Sequence, residues 1–253
     1  MTVLEHSGPG EVPDRELAGM ADLGVAPVEQ TAELADRRAA VAELGAALRE
    51  LIDSAVTSEV PSDVLRDVAE QARRLSGSLA VVRRPPDHPS SVDDLRRGQR
   101  LFNPVVGPGN PLAPPMQVEA SADGAVGTVT LGLPYEGPLT FVHGGISALL
   151  LDQIMGYATA AAGHPAVTGR LQVRYRTAVP LGRPLIVRGV VDDVLGVRVA
   201  VRGTIALAHD PDVALVEADG RFLVLRPEQA QRLFGRPSSA TAPVESTVAD
   251  PAT

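Results

Sequence analysis

The stretch from Phe141 to Gly156, FVHGGISALLLDQIMG, predicts both the centre of the fold and the candidate site. His143, Gly144 and Gly145 open a helix that is apolar on nearly every side, and such a helix is normally buried. Asp152 is the single carboxylate of this stretch, and burial of a carboxylate is costly unless it is paired or protonated. Asp152 is therefore either a reactive group or a residue at a polar rim that only makes the helix more soluble.

Strands are predicted on both sides of this helix, which we place at about residues 144–162, and the three that follow it directly are the longer ones. Alternating residues and turn signals such as the Ser121–Gly124 stretch mark the strands. The order of elements, two strands, one helix and an antiparallel meander, predicts an α+β domain in which a curved antiparallel sheet wraps around one long central helix. The predicted strands cover residues 117–120, 127–131, 166–178, 184–195, 196–208 and 213–225.

The rest of the chain divides by composition. Residues 1–26 and 229–253 lack apolar periodicity and are predicted to be disordered. Residues 27–76 have apolar residues at helical spacing and are predicted to form a helical hairpin extension, whose second helix begins near Pro61. Prolines make residues 77–109 a linker that we expect to run over the domain surface. Residues 110–228 form the main domain.

Composition excludes several classes of function. The net charge of −8 argues against nonspecific nucleic-acid binding. The sequence has no cysteine and no lysine, which excludes a cysteine nucleophile, a thiolate metal site and Schiff-base chemistry. No apolar run approaches the ~20 residues of a membrane span, and the first residues do not resemble a secretory signal. We therefore expect a cytoplasmic protein.

The HGG tripeptide at 143–145, with Asp152 nine residues after the histidine, resembles the hotdog-fold acyl-CoA thioesterases of the PaaI/THEM type. The downstream stretch VTGRLQVRYRTAVPLGRPL also resembles the strand that follows the helix in that family, including Tyr175, Arg176 and Pro180. The likeness covers residues 110–225. It implies a hotdog fold and hydrolysis of an acyl-CoA thioester to a free acid and coenzyme A, in the context of lipid metabolism.

The start of the helix can stabilise the oxyanion of such a reaction. Free N–H groups at a helix N-terminus bind negative charge, and Gly144 and Gly145 would let a substrate carbonyl approach, or they only permit tight entry into the helix. Asp152 would act as general base or as nucleophile. It lies eight residues after Gly144, ~12 Å along one helix, so we expect a homodimer or a dimer of dimers that shares the site. The resemblance implies the same arrangement.

Two further residues are candidates for the reaction. Thr168 lies 16 residues after Asp152, where the resemblance implies a hydroxyl, and it would hold the water or the carboxylate, or else simply fill a strand. His143 would cap the helix, bind substrate or pack. It has no partners at a metal-ligand spacing, so we predict no metal and no cofactor apart from the acyl-CoA substrate.

Strict alternation along the strand would place Thr168, Arg170, Gln172, Arg174 and Arg176 on one face. The resemblance implies that Arg174 and Arg176 contact coenzyme A, with Arg198 joining them; the alternative is a solvated sheet face.

The sequence departs from the family pattern in one respect: it has no Asn or Gln shortly before HGG, and it offers Glu136 or Thr140 there instead. Either one of these two residues substitutes for the amide, or hydrolysis is weaker than the motif implies. Two other functions therefore stay open: a non-catalytic hotdog module that senses or stores acyl-CoA, and a hotdog hydratase or dehydratase, which usually needs a paired His and Asp.

Overall fold

The computed structural model describes residues 28–86, 88–95, 97–226 and 228–229, and it contains one six-stranded antiparallel sheet wrapped around a helix. The strand order in the sheet is β1-β2-β4-β5-β6-β3, so β1 and β3 form the edges. The helices are α1 (Ala32–Thr57), α2 (Ser62–Leu79) and α3 (Gly144–Ala161). The strands are β1 (Gln117–Ser121), β2 (Gly124–Thr130), β3 (Ala166–Tyr175), β4 (Pro184–Leu195), β5 (Arg198–Leu207) and β6 (Asp210–Val224).

The predicted central helix is confirmed as the core of the fold. Leu150, Leu151, Ile154 and Met155 of α3 have no exposed surface, and α3 packs against the concave face of the sheet. Burial of these aliphatic side chains is the main stabilising contribution, about 1.5–3 kcal/mol each. The chain can form this core without tryptophan because leucine, isoleucine, valine and methionine fill it.

Close approach of α3 to the sheet depends on glycines in the strands. Gly189 of β4 and Gly203 of β5 are paired directly across the sheet. A Cβ on Gly189 would lie 2.8 Å from the carbonyl oxygen of Ile154, and one on Gly203 would lie 2.8 Å from the sulfur of Met155. These two positions therefore fix how deeply the helix lies in the sheet, and with it the position of Asp152.

Helix α1 packs on the main domain, whereas α2 does not. Gly45 of α1 is buried against the backbone at Pro108 and Gly109, and the Arg49 guanidinium donates hydrogen bonds to the carbonyl oxygens of Pro108 (2.9 Å) and Asn110 (3.0 Å). Helix α2 has no buried residue, and no described helix or strand packs along it. The N-terminal extension thus consists of one docked helix and one solvated helix.

The proline-rich segment between α2 and β1 is fixed by its own hydrogen bonds. Asp93 is almost fully buried and accepts a hydrogen bond from the N–H of Leu101 at 2.9 Å. Asn103 donates from its side-chain amide to Gln153 of α3 at 3.0 Å. This contact holds the segment against the helix that carries Asp152.

The predicted disordered ends, residues 1–26 and 229–253, lie outside the described residues apart from residue 229. Among the described helices, none combines the length and the apolar character that a membrane crossing requires.

Candidate active site

The N-terminus of α3 leaves one backbone donor without a partner. The first four N–H groups of a helix have no partner within the helix. The N–H of Gly145 donates to Nδ1 of His143 at 3.0 Å, and the N–H groups of Ile146 and Ser147 donate to the His143 carbonyl oxygen at 2.9 and 3.3 Å. Among the described residues, the N–H of Gly144 donates to no protein acceptor.

His143 therefore acts as the N-cap of α3. Because Nδ1 accepts a hydrogen bond, this nitrogen carries no proton, and Nε2 is the ring nitrogen that bears the hydrogen in the neutral ring. The sequence left capping, substrate binding and packing open for His143. The geometry provides the cap, and it withdraws the Gly145 N–H from use as an oxyanion donor.

The two glycines make room for neighbouring side chains. A Cβ on Gly144 would lie 3.3 Å from both Cζ and the hydroxyl oxygen of Tyr175, and a Cβ on Gly145 would lie 3.1 Å from Nδ1 of His143. The space beside Gly144 that we expected a substrate carbonyl to approach is thus occupied by the Tyr175 ring. A carbonyl can reach the Gly144 amide only from the direction of its N–H.

Asp152 and Thr168 form the second part of the site. The Thr168 hydroxyl donates to Oδ1 of Asp152 at 2.7 Å, which joins the middle of α3 to the first residues of β3. Asp152 is half-buried, and Thr168 is exposed. The carboxylate is therefore hydrogen-bonded and open to one side. Its second oxygen, Oδ2, has no described partner and is available to a water molecule or a substrate.

A β-bulge changes the predicted face of β3. Gly169 is the extra residue in the pairing with β6, between Thr168 opposite Phe222 and Arg170 opposite Arg221. Phe222 is buried under α3, so Thr168 lies on the helix side of the sheet, whereas Arg170 lies on the outer side. The prediction that Thr168 shares a face with the arginines is wrong, because strict alternation fails where one strand contains an extra residue.

The predicted coenzyme A arginines are engaged by an acidic residue. Glu217 of β6 accepts hydrogen bonds from Arg174 (3.5 Å) and Arg176 (2.9 Å). The bond from Arg176, followed by its charge and by Arg174, keeps the pKa of Glu217 below its usual value, while desolvation opposes this. The pairing leaves these arginines partly neutralised on the outer face of the sheet.

Arg198 lies apart from this cluster within one chain. It pairs with Leu223, whereas Arg174 pairs with Glu217, and these two β6 positions are six residues apart. At about 3.3 Å per residue the separation is ~20 Å. The expectation that Arg198 joins Arg174 and Arg176 therefore fails within a single chain.

The loop before α3 is closed by the two residues considered as replacements for an Asn or Gln. Oε1 of Glu136 accepts a hydrogen bond from the Thr140 N–H at 2.7 Å. Thr140 has a left-handed backbone with φ 69°, a conformation that costs on the order of 1 kcal/mol for a non-glycine residue. Glu136 therefore stabilises a strained turn, and its Oε1 is occupied by that contact.

Sequence reasoning missed Tyr175 and Glu217 as members of the site region. The sequence marks Tyr175 only as part of the motif that carries the resemblance, whereas in the structure its hydroxyl donates to the Gly144 carbonyl oxygen at 2.8 Å. For Glu217 the sequence offers only an acid on a predicted strand, because the pairing of that strand with the arginine-rich one appears first in the sheet register. Within the described parts of the chain, no three His, Cys, Asp or Glu residues are grouped so that they could hold a metal ion.

The comparisons with known proteins identify the family and agree with the fold. The thioesterase superfamily profile matches residues 139–213, which span the pre-helix loop, α3 and most of the meander. The crystal structure of a thioesterase superfamily protein superposes with a TM-score of 0.62 and 33% identity, covering 79% of this chain and 94% of the other. The chain belongs to the thioesterase superfamily, and its fold is the hotdog fold.

Two further relatives match a smaller part of the chain. Acyl-coenzyme A thioesterase THEM4 of Xenopus laevis is 33% identical over 95 residues, which is 37% of this chain and 42% of that protein. The chain therefore spans less than half the length of this curated relative. The PaaI protein from the phenylacetic acid degradation operon of E. coli has 18% identity and a TM-score of 0.41, with 44% of this chain and 83% of that chain covered.

Proposed function

We propose that this protein hydrolyses acyl-CoA thioesters at a site shared by two copies of the chain. The observation that carries the proposal is the 2.7 Å hydrogen bond from Thr168 to Asp152, which orients the single charged side chain of α3. Membership of the thioesterase superfamily and the likeness to an acyl-coenzyme A thioesterase support it.

The edge strand of the sheet supports a site shared by two copies. Beyond β6, β3 pairs with no described strand, and an unpaired ten-residue edge offers its backbone groups to another chain. Thr168, near the start of β3, contacts Asp152, and Tyr175, at its end, contacts Gly144. Antiparallel pairing of two β3 strands would therefore place Asp152 of one copy opposite Gly144 of the other.

Each half of this site has one chemical task. The Gly144 N–H would donate to the thioester carbonyl oxygen, and one such donor is typically worth about 3 kcal/mol in the transition state. Asp152 would remove a proton from water through Oδ2 while the water oxygen attacks the carbonyl carbon. Collapse of the tetrahedral intermediate breaks the C–S bond, and Asp152 returns the proton to the thiolate. Direct attack by Asp152 is the alternative, because the same carboxylate could bond to the carbonyl carbon.

Antiparallel pairing also bears on the proposed coenzyme A contacts. Arg198 lies near the Thr168 end of the sheet, and Arg174 and Arg176 lie near the Tyr175 end. In the paired arrangement, Arg198 of one copy and the other two arginines of the second copy would come to the same end of the interface. Arginine forks suit phosphate oxygens, so these three residues would bind coenzyme A across the interface, in competition with Glu217.

One observation favours a non-catalytic acyl-CoA module as the second candidate. Glu136 and Thr140 bond to each other and leave no side-chain amide before α3 to orient water or the thioester. Such a module would use the same arginines without turnover. The hydratase alternative has less support, because Nδ1 of His143 is committed to the Gly145 N–H.

A panel of acyl-CoA substrates tests the proposal and separates it from the binding module. Purified protein should release coenzyme A from at least one member, and Asp152→Asn should abolish release while leaving the circular dichroism spectrum unchanged. Asp123→Asn, at an exposed turn, is the matched control and should retain activity. Binding of acyl-CoA without turnover by the wild type would favour the sensor, and full turnover by Asp152→Asn would reject the catalytic assignment.

A further inference from the structure

We propose that Tyr175 is a positioning residue that fixes the start of α3 for carbonyl binding, an assignment that rests on the proposed function. Tyr175 is the last residue of β3, and its side chain lies against Gly144. Its hydroxyl donates to the Gly144 carbonyl oxygen at 2.8 Å. A tyrosine that is 53% exposed thus makes a directed bond to a helix terminus.

The Gly144–Gly145 peptide unit is held at both of its polar atoms. Its carbonyl oxygen accepts from Tyr175, and its N–H donates to Nδ1 of His143 at 3.0 Å. A peptide unit is planar, so two such bonds fix its orientation. Successive glycines otherwise have wide conformational freedom. The two side chains therefore restrict the backbone at the point where the free Gly144 N–H must be aimed.

The preceding peptide unit is fixed as well. The carbonyl oxygen of His143 accepts from the N–H of Ile146 at 2.9 Å, and the N–H of Gly144 belongs to this same peptide unit. The Gly144 N–H thus lies in one constrained peptide unit and directly precedes another. Preorganised donors of this kind stabilise an oxyanion without rearrangement during the reaction.

Tyr175→Phe separates this positioning role from simple packing, because phenylalanine retains the ring over Gly144 and removes only the hydroxyl. Tyr135→Phe is the matched control. The Tyr135 hydroxyl also donates to a backbone carbonyl oxygen, that of Leu112 at 3.2 Å, so the same atom and the same kind of bond are lost away from the helix start. We expect kcat of Tyr175→Phe to fall about fivefold with KM within twofold, as for loss of one ordinary hydrogen bond.

A second readout does not depend on turnover. Amide exchange of Gly145, followed by NMR, should be faster in Tyr175→Phe than in the wild type and unchanged in Tyr135→Phe. Wild-type kcat in Tyr175→Phe would overturn the catalytic part of the inference. If the wild type hydrolysed no acyl-CoA, the proposed function would fail. The amide exchange of Gly145 would then decide the positioning role by itself. Unchanged exchange in Tyr175→Phe would overturn that role, and faster exchange would support it.

A separate observation concerns α2. Its apolar side chains follow a three-and-four spacing, which is typical of a helix that packs on another helix. No described helix or strand packs along α2, and Leu75 is 62% exposed. The stripe consists of Leu65, Val68, Ala72, Leu75 and Leu79.

We infer that this stripe packs against α2 of a second copy in antiparallel orientation. The first half of α2 carries three acids and one arginine, and the second half carries two arginines, so antiparallel pairing brings the acidic half of one helix alongside the basic half of the other. A two-fold axis at Ala72 would set Leu65 level with Leu79 and Val68 level with Ser76, one residue from Leu75. Glu70, which pairs with Arg74 of its own helix at 2.7 Å, would then also face Arg74 of the second copy. The charged residues, all outside the stripe, are Asp63, Arg66, Asp67, Glu70, Arg73 and Arg74.

The size of this contact indicates its place in the assembly. A helix of 18 residues is ~27 Å long, and one pair of such helices falls short of the ~1,200 Å² that a stable interface buries. Two α2 pairs acting together would join two β3-paired dimers into a tetramer with dihedral symmetry.

Light scattering coupled to gel filtration tests this assembly. Leu75→Glu should halve the mass from tetramer to dimer. Gly77→Glu introduces the same side chain on the same helix at a point with no neighbour within 4 Å, and it should keep the tetramer. A wild-type mass other than that of a tetramer, or equal masses for all three proteins, would overturn the inference.

Discussion

Replacement of Thr168 by valine should lower kcat of the proposed reaction by about 10- to 100-fold. Valine retains the shape of the side chain and removes the hydroxyl that donates to Asp152 at 2.7 Å. Hydrogen bonds to charged groups contribute about 1.5–3 kcal/mol, and each 1.36 kcal/mol corresponds to a factor of ten in rate. The expected range follows if the whole bond orients the carboxylate in the transition state.

Steady-state kinetics on the best acyl-CoA substrate would measure this loss. KM should change little, because Thr168 acts through Asp152 and does not hold coenzyme A. The matched control is Thr159→Val, which removes a hydroxyl bonded to the Gly156 carbonyl oxygen at 2.8 Å within the same helix. Its effect should appear in thermal stability, with kcat near that of the wild type.

A double variant gives the sharpest test of the coupling. In Asp152→Asn the carboxylate is already lost, so whatever residual activity this variant retains should not fall further when Thr168→Val is added. Multiplicative losses in the double variant would mean that the two residues act independently. A wild-type kcat in Thr168→Val would refute the view that the hydroxyl orients the base.

Three further predictions concern Glu217 and the contact between α3 and the sheet. Glu217→Gln should lower KM for acyl-CoA a few-fold, since it releases Arg174 and Arg176 for phosphate; an unchanged KM would count against the arginine assignment. The Arg176 hydrogen bond lowers the pKa of Glu217 in the folded protein. The contribution of the ionised Glu217 to stability should therefore be complete above the pKa of an unfolded glutamate, and it should vanish as the pH falls through the lower pKa of the folded state. Melting curves of wild type and Glu217→Gln should converge at acidic pH. Gly189→Ala should destabilise the fold by about 1–3 kcal/mol through overpacking against Ile154, measured by denaturant unfolding.

Much of the fold could be predicted from the sequence because its signals are local. The apolar stretch after His143 defines α3 over 144–161, within one residue of the prediction. Turn residues and alternation located all six strands. The family resemblance implied a hydroxyl at Thr168 that would hold the water or the carboxylate or else only fill the strand, and the structure shows it hydrogen-bonded to Asp152.

The roles of individual side chains depended on contacts that local patterns do not contain. The register between β3 and β6 places the bulge at Gly169, and this bulge moves Thr168 to the helix side, away from Arg170. Strict alternation could not reveal it, because the extra residue is defined only relative to the partner strand.

The buried helix, its glycine entry and the one carboxylate among its apolar residues follow from the order of amino acids alone. Tertiary structure alone decided which amide at that entry stays free, because His143 occupies the Gly145 N–H and Tyr175, 31 residues further along the chain, reaches the Gly144 carbonyl oxygen. Composition and spacing specify which groups are present, whereas hydrogen bonds between distant segments decide which of them are already satisfied and which remain for a ligand.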